Sequence, residues 1–200
     1  MIERDTIPLN MDFTKTVKVL VNEQHWVKSP ADGVERMPFE KEAEESGQTT
    51  SLVRFAPNSF FPPHAHPLGE EIYVLEGVFS DENGDYPAGT YLRNPPNSAH
   101  SPFTKEGCTI FVKLDQFNSD DTDSVVMQPE QQQWLPGHWN LKASPLHEFE
   151  TQHTVTVHWP ETENVSSLQH RGGQEIFALK GHVSGAVCCD SASAELRSPR

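Results

Sequence analysis

Basic residues are scarce in this sequence. Fifteen lysines and arginines stand against 29 aspartates and glutamates, giving 200 residues a formal net charge of −14 and a pI near 5.0. Phosphate contacts need clustered Lys and Arg, so direct nucleic-acid binding is disfavoured, and an anionic membrane surface is disfavoured for the same reason. Long apolar runs are lacking too, and none approaches the roughly 20 residues that span a bilayer. The opening residues, MIERDTIPLNMDF, show no basic-then-apolar secretory pattern. The expected location is therefore the cytoplasm. Cysteine is limited to Cys108, Cys188 and Cys189. An odd count with one adjacent pair makes neither a disulfide framework nor a CxxC site, which leaves small apolar residues or reduced thiols. The GxSxG elbow, the GxxxxGK[ST] loop and the GxGxxG turn are all missing.

What is present is a series of short strand-like runs. They are Thr16–Val21, Thr50–Ala56, Glu71–Val78, Tyr91–Arg93, Thr109–Leu114, Val125–Met127, Thr154–Trp159, Glu175–Leu179 and His182–Val187. Their Val, Ile, Thr, Phe and Tyr suit a pleated, half-buried surface. Pro57-Asn58, Asp81–Gly84, Pro95-Pro96 and Pro136-Gly137 supply turns between them. In Asp81–Gly84 the Asn-Gly pair fits a tight hairpin. Lys41–Gly47 is charged and reads as a short helical turn or a loop. Evenly spaced short strands predict an all-β sandwich or barrel.

An internal repeat organises the chain. The segment HPLGEEIYVLEG from His66 reappears as HRGGQEIFALKG from His170, an offset of 170 − 66 = 104. The same offset relates Thr50 to Thr154, Val53 to Val157, and Leu92–Pro95 to Leu196–Pro199. Two copies of one unit are expected: residues 1–117, a linker at 118–133, and a second unit at 134–200. The acidic, then Gln-rich linker predicts an exposed connection. The second copy stops at the equivalent of Pro96, short of its last strands. A barrel so truncated has open edges. Another chain, as in a homodimer, or the N-terminal strands could cover them, or the unit could be poorly ordered; the sequence does not choose.

The chemistry is carried by Phe61-Pro-Pro-His64-Ala-His66-Pro-Leu-Gly-Glu70-Glu71. Residues two apart on a strand share a face, so His64 and His66 point the same way. A short turn can return Glu70 alongside them, and His100 follows a second turn at Pro95-Pro96. Three imidazoles and one carboxylate form a plausible shell for Zn²⁺, Fe²⁺, Mn²⁺ or Ni²⁺. Ser98 and Ser101 flank His100, but no Asp completes a triad. Tyr73 and Tyr91 are candidates to order a metal-bound water. Phe55, Phe60, Phe61, Tyr73, Tyr91, Phe103 and Phe111 read as barrel core, with some of them expected to line the metal pocket. His25, His138, His147, His153, His158 and His182 show no ligand spacing and read as structural.

These segments resemble the two cupin motifs: HxHx₃E then six residues and Gly77, followed by Gly89, five residues, Pro95 and finally His100. Asn97 stands where the family usually has Gly, and Asn also tolerates the left-handed conformation. The motif spacing selects Glu70 over Glu71 as ligand, and alternation puts Glu71 on the opposite face for a salt bridge or solvent. The phrases GEEIYVLEGVFSDENGDYPAGTYLRNPPNSAHSP and WVKSPADGVERMPF are similar to cupins of the ChrR type. That resemblance implies a jelly-roll barrel with zinc as the first metal, a regulatory role in transcription, and a sigma factor or a small-molecule ligand as partner. In ChrR-like anti-sigma factors a helical zinc domain precedes the cupin and clamps the sigma factor, and this sequence shows no Cys/His cluster for one. The cupin also resembles metal-dependent dioxygenases that cleave diketones. In the second copy Leu168 and Gln174 replace the equivalents of His64 and Glu70, leaving His170 alone, so no metal is expected there.

Overall fold

The computed structural model describes residues 8–43, 46–137, 140–160, 173–180 and 194–198. The strands are β1 (Val17–Leu20), β2 (Val27–Lys28), β3 (Val34–Lys41), β4 (Thr49–Phe55), β5 (His64–His66), β6 (Glu70–Asp81), β7 (Gly84–Pro87) and β8 (Tyr91–Asn94). They continue as β9 (Ser98–His100), β10 (Cys108–Leu114), β11 (Val125–Met127), β12 (Leu135–Pro136), β13 (Lys142–Phe149), β14 (Gln152–His158), β15 (Gln174–Phe177) and β16 (Ala194–Ser198). The 3₁₀ turns Val21–Glu23 and Pro129–Gln131 interrupt this all-β pattern. Of the charged Lys41–Gly47 stretch, Lys41 ends β3 and the described residues 42, 43, 46 and 47 are bends.

The main sheet runs β11-β8-β6-β10-β4-β3-β2, with β7 hairpinned onto β6. The expected closed barrel is thus a jelly roll of separate sheets, because this path ends at β11 and β2 and the short β5–β9 pair forms its own ladder. Alternation gives the central strands two working faces. On β6 and β10, Ile72, Val74, Cys108, Ile110 and Val112 turn inward with Val53, Phe55 and Phe79 to make the first unit's core. The opposite face of the same strands carries Glu71, Leu75, Phe111 and Lys113. These meet the second unit: Phe111 stacks on Phe177 with centroids 4.5 Å apart, Lys113 pairs with Glu175, and Thr154 donates to Glu71 at 2.9 Å.

The segments related by the 104-residue offset pair in the same register. In the first unit β6 and β8 match Glu70 with Asn94 and Glu71 with Arg93. In the second, β15 and β16 match Gln174 with Ser198 and Glu175 with Arg197, which is the same register displaced by 104. The repeat also begins earlier than the sequence comparison reached. Val17 and Trp26 are answered by Val125 and Trp134, both at 134 − 26 = 108. These leading strands are exchanged between units. β11 adds to β8 of the first unit, whereas β1 adds to β16 of the second. The N-terminal strand therefore covers one open edge of the second copy. Residues 118–133, expected as an exposed connection, supply β11 and bury Asp121 at 1% exposure. The expected strand His182–Val187, together with Leu168, His170, Cys188 and Cys189, lies outside the described residues.

Candidate metal centre

Two short β pairs build the site. β5 and β9 run antiparallel with His64 opposite His100 and His66 opposite Ser98. This register points all three imidazoles to one side, with Ala65 opposite Ala99 on the other. Glu70 arrives from the start of β6 after the Pro67-Leu68-Gly69 turn. Gly69 is needed there: its φ is +81°, and a Cβ would sit 2.2 Å from the Phe117 ring. Asn97, in the place of the family's glycine, has φ +66° as the sequence leads one to expect, and its N–H donates to the His66 carbonyl at 2.7 Å.

The four expected ligands come together. One donor atom from each of His64, His66, Glu70 and His100 lies within 4.8 Å of all the others. The imidazole centroids are 4.8 to 5.0 Å apart, and Glu70 Oε2 is 3.4 Å from Nε2 of both His66 and His100. Nδ1 of His64 lies 2.8 Å from the Pro62 carbonyl, which suits an Nδ1–H there and leaves Nε2 for the centre. His66, Glu70 and His100 are buried, and His64 is partly exposed.

A divalent cation fits this donor set. Nε2 of His66 and Nε2 of His100 are buried without a hydrogen-bond partner, and such orphaned atoms are costly unless something satisfies them. Without a cation the site favours neutral groups. Burial pushes the Glu70 carboxyl up to about 7 against the pull of Asn94 Nδ2, which donates to it at 2.9 Å. Burial, with the His100 and His64 rings beside it, holds His66 down at about 3. Burial, then the His64 ring, lowers His100 as well. Neutral imidazoles are what a metal requires.

Other expectations resolve around this centre. Glu71 faces away, accepting from Tyr91 Oη at 2.5 Å and approaching Arg93 at 3.7 Å. Tyr91 is thereby turned from the metal side and does not order water there. Phe55 is core, but Phe60 is 67% exposed and Phe111 packs on the second unit. Phe61 does border the site, edge-on to His64 at 5.0 Å. Ser98 and Ser101 make no triad with His100, whose Nε2 faces Glu70. Two neighbours escaped the sequence reading, Asn94 on Glu70 and Asp81 3.6 Å from His100 Nδ1; away from the centre, His147, read as structural, lies 3.1 Å from Asp121. The second unit carries Gln174 where the first has Glu70.

Residues 14–118 match the family model described as the ChrR cupin-like domain. The chain belongs to this family. Among curated proteins nothing matches. Solved structures place the whole ChrR-like cupin chain on a known fold. The protein Ylba from E. coli superposes with a TM-score of 0.70 at 10% identity, over 98% of this chain and 87% of its own. A candidate dioxygenase of Nostoc punctiforme PCC 73102 also reaches 0.70, at 14% identity over 93% and 75%. The Rhodobacter sphaeroides structure of SigE in complex with the anti-sigma ChrR matches at 21% identity with a TM-score of 0.41, over 48% of this chain. The present chain spans about half (51%) of that one. No helix among the described residues is long and apolar enough to cross a membrane.

Proposed function

We propose that this ChrR-like cupin binds one divalent transition metal through His64, His66, Glu70 and His100, and that the loaded domain serves a regulatory or sensing role in the cytoplasm. One observation carries the metal assignment: four ligand atoms of the right chemistry converge from β5, β6 and β9, three of them on buried side chains. Zinc is the first choice, because three imidazoles and a carboxylate complete a tetrahedral shell; iron, manganese and nickel accept the same donors. Family membership supports the regulatory role, with a sigma factor or a small-molecule ligand as partner. The residues' contribution is to pre-align: the Pro62 carbonyl orients His64, Asn94 holds Glu70, and burial favours the neutral imidazoles of His66 and His100.

His64 favours a second reading. Its partial exposure opens the centre on one side, as a metal-dependent dioxygenase acting on a small oxygenated substrate such as a diketone would need. A bound iron would there supply Lewis-acid and redox chemistry. Elemental analysis of protein purified without a chelating tag separates the readings. Stoichiometric zinc without turnover supports the regulatory domain, and iron with oxygen uptake on a diketone supports the enzyme. His64→Ala and Glu70→Ala are expected to lose metal and thermal stability together, since binding energy is coupled to folding. Full metal content in either variant would overturn the ligand assignment.

A further inference from the structure

Asp81 ends β6, at the tip of the β6–β7 hairpin, eleven residues beyond Glu70. The hairpin expected from Asn-Gly is present, but its loop is Glu82-Asn83 and neither Asn83 nor Gly84 has a positive φ. The turn is held instead by Asp81. Its Oδ1 accepts from the Asn83 N–H at 2.7 Å, the Gly84 N–H at 3.2 Å and the Tyr86 hydroxyl at 2.9 Å. Three donors on one oxygen fix the carboxylate plane. The other oxygen, Oδ2, stands 3.6 Å from Nδ1 of His100. The hairpin is also tied to the chain just after His100. Ser80 and Phe103 exchange both backbone hydrogen bonds, at 2.9 and 2.8 Å, and Glu82 accepts from the Ser101 N–H at 2.9 Å. Nδ1 of His100 is buried with no hydrogen-bond partner.

We propose that Asp81 is a positioning residue for the metal centre: its anchored carboxylate selects the Nδ1–H tautomer of His100 and so presents Nε2 to the cation. The proposal rests on the metal reading above. A ligating histidine typically directs its second nitrogen to a carboxylate or carbonyl, which fixes the tautomer and raises ligand basicity. His64 has a neutral carbonyl in that role, whereas His100 has an anion.

Asp81→Asn tests this. The asparagine carbonyl still accepts from Asn83, Gly84 and Tyr86, while its amide sets donor against donor at His100. The expected result is zinc affinity weakened about 10- to 100-fold in competition with a chromophoric chelator, and a shifted visible spectrum of the Co²⁺ form. Tyr86→Phe removes one donor from the same carboxylate without touching His100, and is expected to change affinity less than threefold. In metal-free wild type, ¹⁵N NMR should show His100 as the Nδ1–H tautomer. If the wild type binds zinc and Asp81→Asn binds it equally well with an unchanged Co²⁺ spectrum, the proposal is overturned and the metal reading stands. If the wild type binds no metal, that reading fails, and the His100 tautomer still decides the Asp81 contact. An Nε2–H tautomer overturns the proposal even where Asp81→Asn does not fold.

Discussion

Glu70 and Glu71 are neighbours in sequence and opposites in environment. Strand alternation sends Glu70 into the site and Glu71 towards Arg93, Tyr91 and Thr154 at the junction with the second unit. Glu71→Gln is therefore expected to leave metal content unchanged, measured by elemental analysis, while Glu70→Gln removes it. Cys108 shows burial acting on a different group. It is 5% exposed in the first core, and burial pushes its thiol up to about 12 from 9.0. The raised value means that its stabilising contribution is complete below pH 9 and is lost as pH rises towards 12. The stability gap between wild type and Cys108→Ala should thus be constant from pH 7 to 8.5 and narrow above pH 9, by thermal melts. At pH 8.5 native Cys108 should also resist alkylation mapped by mass spectrometry. The two-residue spacing of His64 and His66 was legible because the period of a strand is fixed. Asp81, Asn94 and His147 were not, since each acts on a partner 19 to 26 positions away that only the folded register brings near.

Among elements, the strands rich in Val, Ile and Thr were readable within two residues at each end, except that β6 runs three residues past the expected Val78, and β3 and β13 were not. Each has a proline in its middle, Pro38 and Pro145, which reads as a strand breaker. Each resolves it with a register shift directly after that proline, between Pro38 and Glu40 and between Pro145 and His147. β5 and β9 are three residues long, too short for any periodicity, though they carry three of the four candidate ligands. The turns beside them hold the geometry. Gly69→Ala combines a positive φ with a clash on Phe117, so it should cost roughly 1–3 kcal/mol in urea denaturation and weaken metal binding with it. At Asn97, glycine should be tolerated, whereas valine should cost about 1–2 kcal/mol.

At the scale of the whole molecule, the repeat was visible at its 104-residue offset but the strand exchange was not. β1 and β11 share little beyond Val17 and Val125, and their pairing partners lie 180 and 32 positions away, as Val17 with Arg197 and Val125 with Arg93 show. The exchange binds the units through a charged knot. Asp121, from the connecting stretch, meets Arg93 of β8 and His147 of β13, and the Arg93 guanidinium lies 3.5 Å over the Phe117 ring. Asp121→Ala takes the nearer of two carboxylates from a buried guanidinium, leaving Glu71 at 3.7 Å, and should lower unfolding free energy by about 3 kcal/mol, measured by denaturant titration. All of this scaffolding serves the convergence at β5, β6 and β9, and anomalous diffraction from crystals of protein purified without chelating tags tests it most directly. The account predicts one strong peak per chain, bounded by the Nε2 atoms of His64, His66 and His100 and by a Glu70 oxygen. Crystals grown with added zinc that show no peak among those four side chains would contradict it.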